Sequence, residues 1–166
     1  MKKRPKPQKR KRMKIERTVH RNRLSAGRVY RVWPDYRRPF VVELRLARDG
    51  RRMRGLMNFH DGQKHADSVE RNCMGLVRSF WDPKTRRPGI VRPRQVVARM
   101  YLNVRDLRER PSEIVSHECV HAAMAWARFQ RANLNLMVGE EVMAHAAGRL
   151  VTQINRICFA EKVWPS

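Results

Sequence analysis

The chain has 166 residues and carries 38 Lys and Arg against 15 Asp and Glu, a formal net charge of +23. That length suits a single domain with a real core, while no apolar run reaches the roughly 18 residues of a membrane span or follows the basic N-terminus as a secretory signal would. Three cysteines, Cys73, Cys119 and Cys158, are odd in number and far apart, which speaks against a disulfide framework and for a reducing cytoplasm.

Residues 1–31 hold 14 basic side chains and one acid, Glu16, leaving 24 basic against 14 acidic, or +10, in residues 32–166. Dense like charge, two prolines and few large apolar residues leave the opening segment unable to offset its ordering entropy. Residues 1–27 are therefore expected to form a flexible basic arm, and residues 28–166 one folded domain. Nucleic acid is the expected partner of the basic segment 2–31, since such runs meet phosphates; a solubilising tail is the plainer alternative.

From Gly27 to Val104, short apolar runs alternate with turn formers. Arg28 to Trp33, Phe40 to Leu46, Gly55 to Phe59, Met74 to Phe80 and Val96 to Val104 are predicted strands of a small antiparallel or mixed sheet, with breaks at Pro34, Asp49-Gly50, Asp61-Gly62 and Pro83 to Pro93. The Arg/Pro-rich stretch Asp82 to Pro93 is a predicted loop. After Pro111 the period changes: Val115, Cys119, Ala122 and Trp126 recur at helical spacing, predicting a helix from Ser112 to about Ala132. A second helix, about Glu140 to Phe159, places Met143, Ala147, Leu150, Val151 and Ile154 on one face. The predicted class is α+β, a sheet followed by two long helices.

The first of these helices contains His-Glu-Cys-Val-His, from His117 to His121. Four residues of α-helix turn a side chain by only about 40°, so both imidazoles face one way and can reach one zinc ion at about 2.0 to 2.1 Å. Glu118 flanks that face and can accept a proton from a metal-bound water. The bland alternative is a pair of surface histidines. A catalytic zinc needs a third protein ligand and one open position, and Glu140 and Glu141 follow at the head of the second helix.

With these residues the chain resembles the HExxH metallopeptidases of gluzincin type, whose third ligand is a glutamate on the following helix. It looks most like small phage- and plasmid-type metallopeptidases with an HExxH helix and then an EExxA helix. The resemblance covers roughly Met100 to Ile157. It implies a minimal zincin-like fold, a Zn2+ cofactor held by His117, His121 and Glu141, Glu118 as catalytic base, a protein or peptide substrate, and no membrane partner. If the chain is phage-encoded, the expected location is the host cytoplasm. Glu141 fits because Ala144 stands three residues on. The next position departs from the pattern: His145 replaces the usual carboxylate or amide, which leaves Glu140 open as the alternative ligand. The segment RMYLNV corresponds to the strand before the helix, so that Tyr101 to Val104 is either the sheet edge that receives substrate or an ordinary buried strand. Further donors to the transition state are sought among Tyr101, His145 and nearby arginines.

Other residues carry weaker signals. His60, Asp61, His65 and Asp67 read as a polar loop rather than a metal cluster. Cys119 reads as a small core residue, and Trp33, Trp81, Trp126 and Trp164 read as packing rather than base-stacking platforms. Two competing functions stay open: a nucleic-acid binder or nuclease, and an inactive zincin scaffold used for binding, as in an assembling particle.

Overall fold

The computed structural model describes residues 17–18, 29–35, 40–61, 74–82, 87–88, 96–130, 132 and 135–164. Among these residues seven strands are β1 (Arg17–Thr18), β2 (Val29–Val32), β3 (Val41–Ala47), β4 (Gly75–Ser79), β5 (Trp81–Asp82), β6 (Arg87–Pro88) and β7 (Val96–Asn103). Among the described residues four helices are α1 (Gly50–Asp61), α2 (Val104–Glu109), α3 (Pro111–Phe129) and α4 (Met137–Ala160). The class is α+β.

One mixed sheet runs in the order β1-β2-β3-β7-β4, and β5 and β6 form a separate two-stranded ribbon. The central pair, β3 and β7, is parallel, with Leu44 opposite Met100 and Leu46 opposite Leu102; the other pairings are antiparallel. A parallel pair in the middle follows from the long connection between β3 and β7, which returns the chain to the same end of the sheet.

Alternation sorts the two faces. Val42, Leu44, Ala98, Met100 and Leu102 turn to one side and pack with Val115, Cys119, Ala122 and Trp126 of α3 and Leu150, Ile154 and Ile157 of α4. On the other side Ala47 and Tyr101 meet Met53, Leu56 and Met57 of α1. That second face also carries charge: Glu43 accepts from Arg99 Nε at 2.9 Å and lies 3.5 Å from Arg45. Burial raises the Glu43 pKa, but the Arg99 hydrogen bond and the charges of Arg99, Arg45 and Arg31 outweigh it and hold the carboxyl below its usual range.

Several expectations need correction. Gly55 to Phe59, read as a strand, belongs to helix α1, and the Asp49-Gly50 break is the start of that helix: Asp49 Oδ1 accepts from the Arg52 amide at 2.8 Å, a side-chain cap. The sheet is mixed, one of the two arrangements expected. Tyr101 to Asn103 is not an edge: β7 lies between β3 and β4 and is buried throughout. Val104 leaves that strand to begin α2, a short helix that the sequence reading did not separate and that Asn103 caps through its side chain. Within the predicted loop, Asp82 and Arg87–Pro88 belong to the β5–β6 ribbon. Within the predicted arm, Arg17 and Thr18 pair with Tyr30 and Val29; the remainder of the arm, Cys73, His65 and Asp67 lie outside the described residues. The two long helices start and end within three residues of their predicted bounds.

Candidate metal centre

Helix α3 begins with Pro111, whose fixed φ suits a first turn, and Glu113 complements its positive end. Its apolar stripe, including Val115, Cys119, Ala122 and Trp126, is buried against the sheet and α4. Burial of that stripe fixes the helix's rotation about its axis, which places His117 and His121 on the exposed flank and Glu118 between flank and core.

The two imidazoles converge. Their Nε2 atoms are 3.1 Å apart and the rings meet edge to face, 4.7 Å between centroids at 72°. Two nitrogens bound at 2.0 to 2.1 Å to a tetrahedral zinc stand about 3.3 Å apart, so the pair, at hydrogen-bond distance from one another, stands close to the separation that one shared ion requires.

Glu118 is only 6% exposed. Burial pushes its carboxyl up to about 7, against an opposing pull from His117. It sits against the first residue of β4: a Cβ built on Gly75 would lie 2.7 Å from Glu118 Cγ and 2.9 Å from Oε1. Gly75 thus provides the room in which the carboxyl is held. Sequence reasoning did not single out Gly75, although a glycine in a strand is a recognised sign of close approach by another group.

The second helix presents its candidates differently. Gly139, Ala146, Leu150, Gln153, Ile154, Ile157 and Cys158 form its buried stripe, and Glu141 stands on the opposite, exposed side, with Oε1 2.9 Å from His145 Nε2. Glu140 is exposed as well. Among the described residues no group of three or more His, Cys, Asp or Glu side chains converges as a metal cage. The structure therefore brings the His117 and His121 rings together, sets Glu118 near enough for the charge of His117 to bear on it, and pairs Glu141 with His145 instead. The chemistry of the pair fits a zinc ion in two of its positions, and completing the set needs a carboxylate to turn or shift towards it.

The other candidates fall outside the site. Cys119 is buried and its thiol is pushed up to about 12, first by desolvation and then by Glu118 and Cys158, so it carries no nucleophilic thiolate. Tyr101 is fully buried beneath α1. Trp126 is in the core, the Trp33 amide donates to Gln153 Oε1 at 3.1 Å, and Trp164 stacks on Phe159. His60 and Asp61 end α1, and their side chains lie outside the described residues. No helix among the described residues is long and apolar enough to cross a membrane.

Comparison of this chain with family models, with curated proteins and with solved structures finds no significant match.

Proposed function

We propose that the chain is a zinc-dependent metallopeptidase of the HExxH type, with Glu118 as general base. The observation that carries this reading is the meeting of the His117 and His121 Nε2 atoms at 3.1 Å beside a buried carboxyl. His117 and His121 would hold the ion, with Glu141 as the proposed third ligand and Glu140 as the alternative. A zinc ion supplies Lewis acidity there, drawing the pKa of a bound water towards neutrality and polarising a carbonyl.

The remaining work belongs to side chains. Glu118, poised near 7 by burial, accepts a proton at a carboxylate oxygen and delivers it to the leaving amine. Gly75 positions Glu118 by leaving room for it. Strand β4 ends the order of the sheet among the described residues and stands against Glu118 through Gly75. The basic segment 2–31 is proposed to bring the enzyme to nucleic acid, so that its substrate is a protein found there, and the proposed location is the cytoplasm.

A second reading has its own support. Because Glu141 pairs with His145 and, among the described residues, no third donor joins the imidazoles, a nucleic-acid-binding protein built on an inactive or structural zincin scaffold also suits the site. Zinc-loaded protein and its Glu118→Gln variant, incubated with an unfolded protein such as reduced casein, separate the two. The peptidase reading expects cleavage by the first and at least about a hundredfold less by the second; equal cleavage by both removes Glu118 as base, and cleavage by neither favours the scaffold.

A further inference from the structure

The carboxyl ends of the parallel strands β3 and β7 open into a cleft with no part in the reading above. Both strands pass directly into helices there, β3 through Arg48 and Asp49 into α1 and β7 through Asn103 into α2. Two adjoining recesses of about 490 and 520 Å³ occupy this end of the sheet and share Asp49 and Arg105. Arg48 and Arg108 line the first, Arg51 and Arg54 the second, and Arg105 stands between them. Among the described residues, no ion pair engages the side chains of Arg48, Arg51, Arg105 or Arg108, all of which are exposed.

Two of the three acids of the cleft have structural duties: Asp49 caps α1, and Asp106 Oδ2 accepts from Asn103 Nδ2 at 2.6 Å; Glu109 is the third. Five arginines, Arg48, Arg51, Arg54, Arg105 and Arg108, line the two recesses against these three acids. Like charges gathered on two neighbouring turns repel one another, and an anion laid between them relieves that repulsion.

We infer that this cleft binds the phosphate backbone of a polynucleotide, in contacts separate from those of the basic arm. The guanidinium fork matches phosphate oxygens two at a time. Two recesses joined at Arg105 suit consecutive phosphates better than a single one. The lining offers no aromatic ring and only Met74 and Val104 as sizeable apolar groups, so a free nucleotide's base finds no platform and contact is with the backbone, whatever the sequence. Met74 precedes Gly75, so the bound strand would run past the same end of β4 that cradles Glu118.

The test uses the full chain and a 20-base-pair DNA duplex of mixed sequence, with affinity followed against KCl concentration. Arg51→Gln, Arg105→Gln and Arg108→Gln together keep the aliphatic stems but remove three cleft charges. Arg128→Gln, Arg156→Gln and Lys162→Gln remove three exposed charges elsewhere. Each lost phosphate contact lowers the slope of log affinity against log salt by about 0.9, so the cleft variant should lose about 2 to 3 and the control less than about 1. Equal losses in both variants, or none in the cleft variant, would overturn the assignment. So would a cleft variant that loses binding to poly-glutamate but keeps its hold on DNA, since the cleft would then serve acidic peptides. If the triple variant melts early, Arg105→Gln alone decides the matter by whether the slope falls by about one contact.

Discussion

Glu118 occupies the space in which a side chain on residue 75 would stand. A Cβ on Gly75 would meet Glu118 Cγ at 2.7 Å and Oε1 at 2.9 Å, closer than real Cβ atoms come. Strand β4 and helix α3 thereby meet closely at the Glu118 carboxyl, on which the charge of His117 also bears.

Gly75→Ala should therefore expel the Glu118 carboxyl without disturbing the main core. A loss of about 10- to 100-fold in peptidase turnover is expected, since a displaced base costs rate steeply. In a Glu118→Ala background the same substitution should be nearly neutral for stability. The double-mutant cycle, read by urea denaturation, should give a coupling of about 1 to 3 kcal/mol; additive effects would show that the two residues do not share this space.

The raised Glu118 pKa has a stability consequence. Folded protein holds this proton up to about pH 7, while the unfolded chain releases it near the ordinary glutamate value. Between those limits the native state binds more protons, so stability is fully present below about pH 4.5 and falls as pH rises through 7. Metal-free Glu118→Gln should escape that fall. It should exceed wild type by on the order of 2 kcal/mol at pH 8 and by much less at pH 5. Urea midpoints at the two pH values read the difference, and an advantage that does not grow with pH would contradict it.

Glu43 shows the opposite sign. Despite its burial, Arg99, Arg45 and Arg31 hold its carboxyl below the ordinary value, so its contribution is present above that value and disappears as pH falls through the depressed one. Glu43→Gln leaves Arg45 and Arg99, 5% and 6% exposed, without their shared carboxylate. A loss of about 3 kcal/mol at pH 7 is expected, shrinking towards pH 3; thermal melts at both values test it.

Much of this architecture is legible from residue periodicity. The α3 stripe of Val115, Cys119, Ala122 and Trp126 has one rotation that buries it, and that rotation also turns the two imidazoles the same way, so spacing alone brings His117 and His121 together. Four strands are visible because β-branched and aromatic residues alternate between turn formers. The run from Gly55 to Phe59 misleads because a buried helical segment and a short strand look alike over five residues; the cap at Asp49 and the burial of Met53, Leu56 and Met57 reveal the longer period. Strand order is not local information. Nothing within RMYLNV says that β4 will lie outside it, so the choice between edge and interior waited on tertiary pairing. The third ligand escapes the sequence for a related reason: Glu140 and Glu141 differ by about 100° of helix rotation, and only packing decides which way either points.

Should a carboxylate of α4 complete the site, its loss will be felt in metal affinity. Glu141→Gln is expected to weaken zinc binding at least about tenfold, with Glu140→Gln close to wild type. The reverse order would transfer the role to Glu140, and two unaffected variants would leave the ion on the imidazoles alone.

The most direct measurement is zinc stoichiometry by native mass spectrometry on the wild type and on His117→Ala, His121→Ala and Glu118→Gln. About one zinc per chain is expected for the wild type and for Glu118→Gln, which retains both imidazoles, with no stable zinc in either histidine variant. Zinc retained in full after either imidazole is removed, or no zinc bound by the wild type, would contradict a metal centre at His117 and His121.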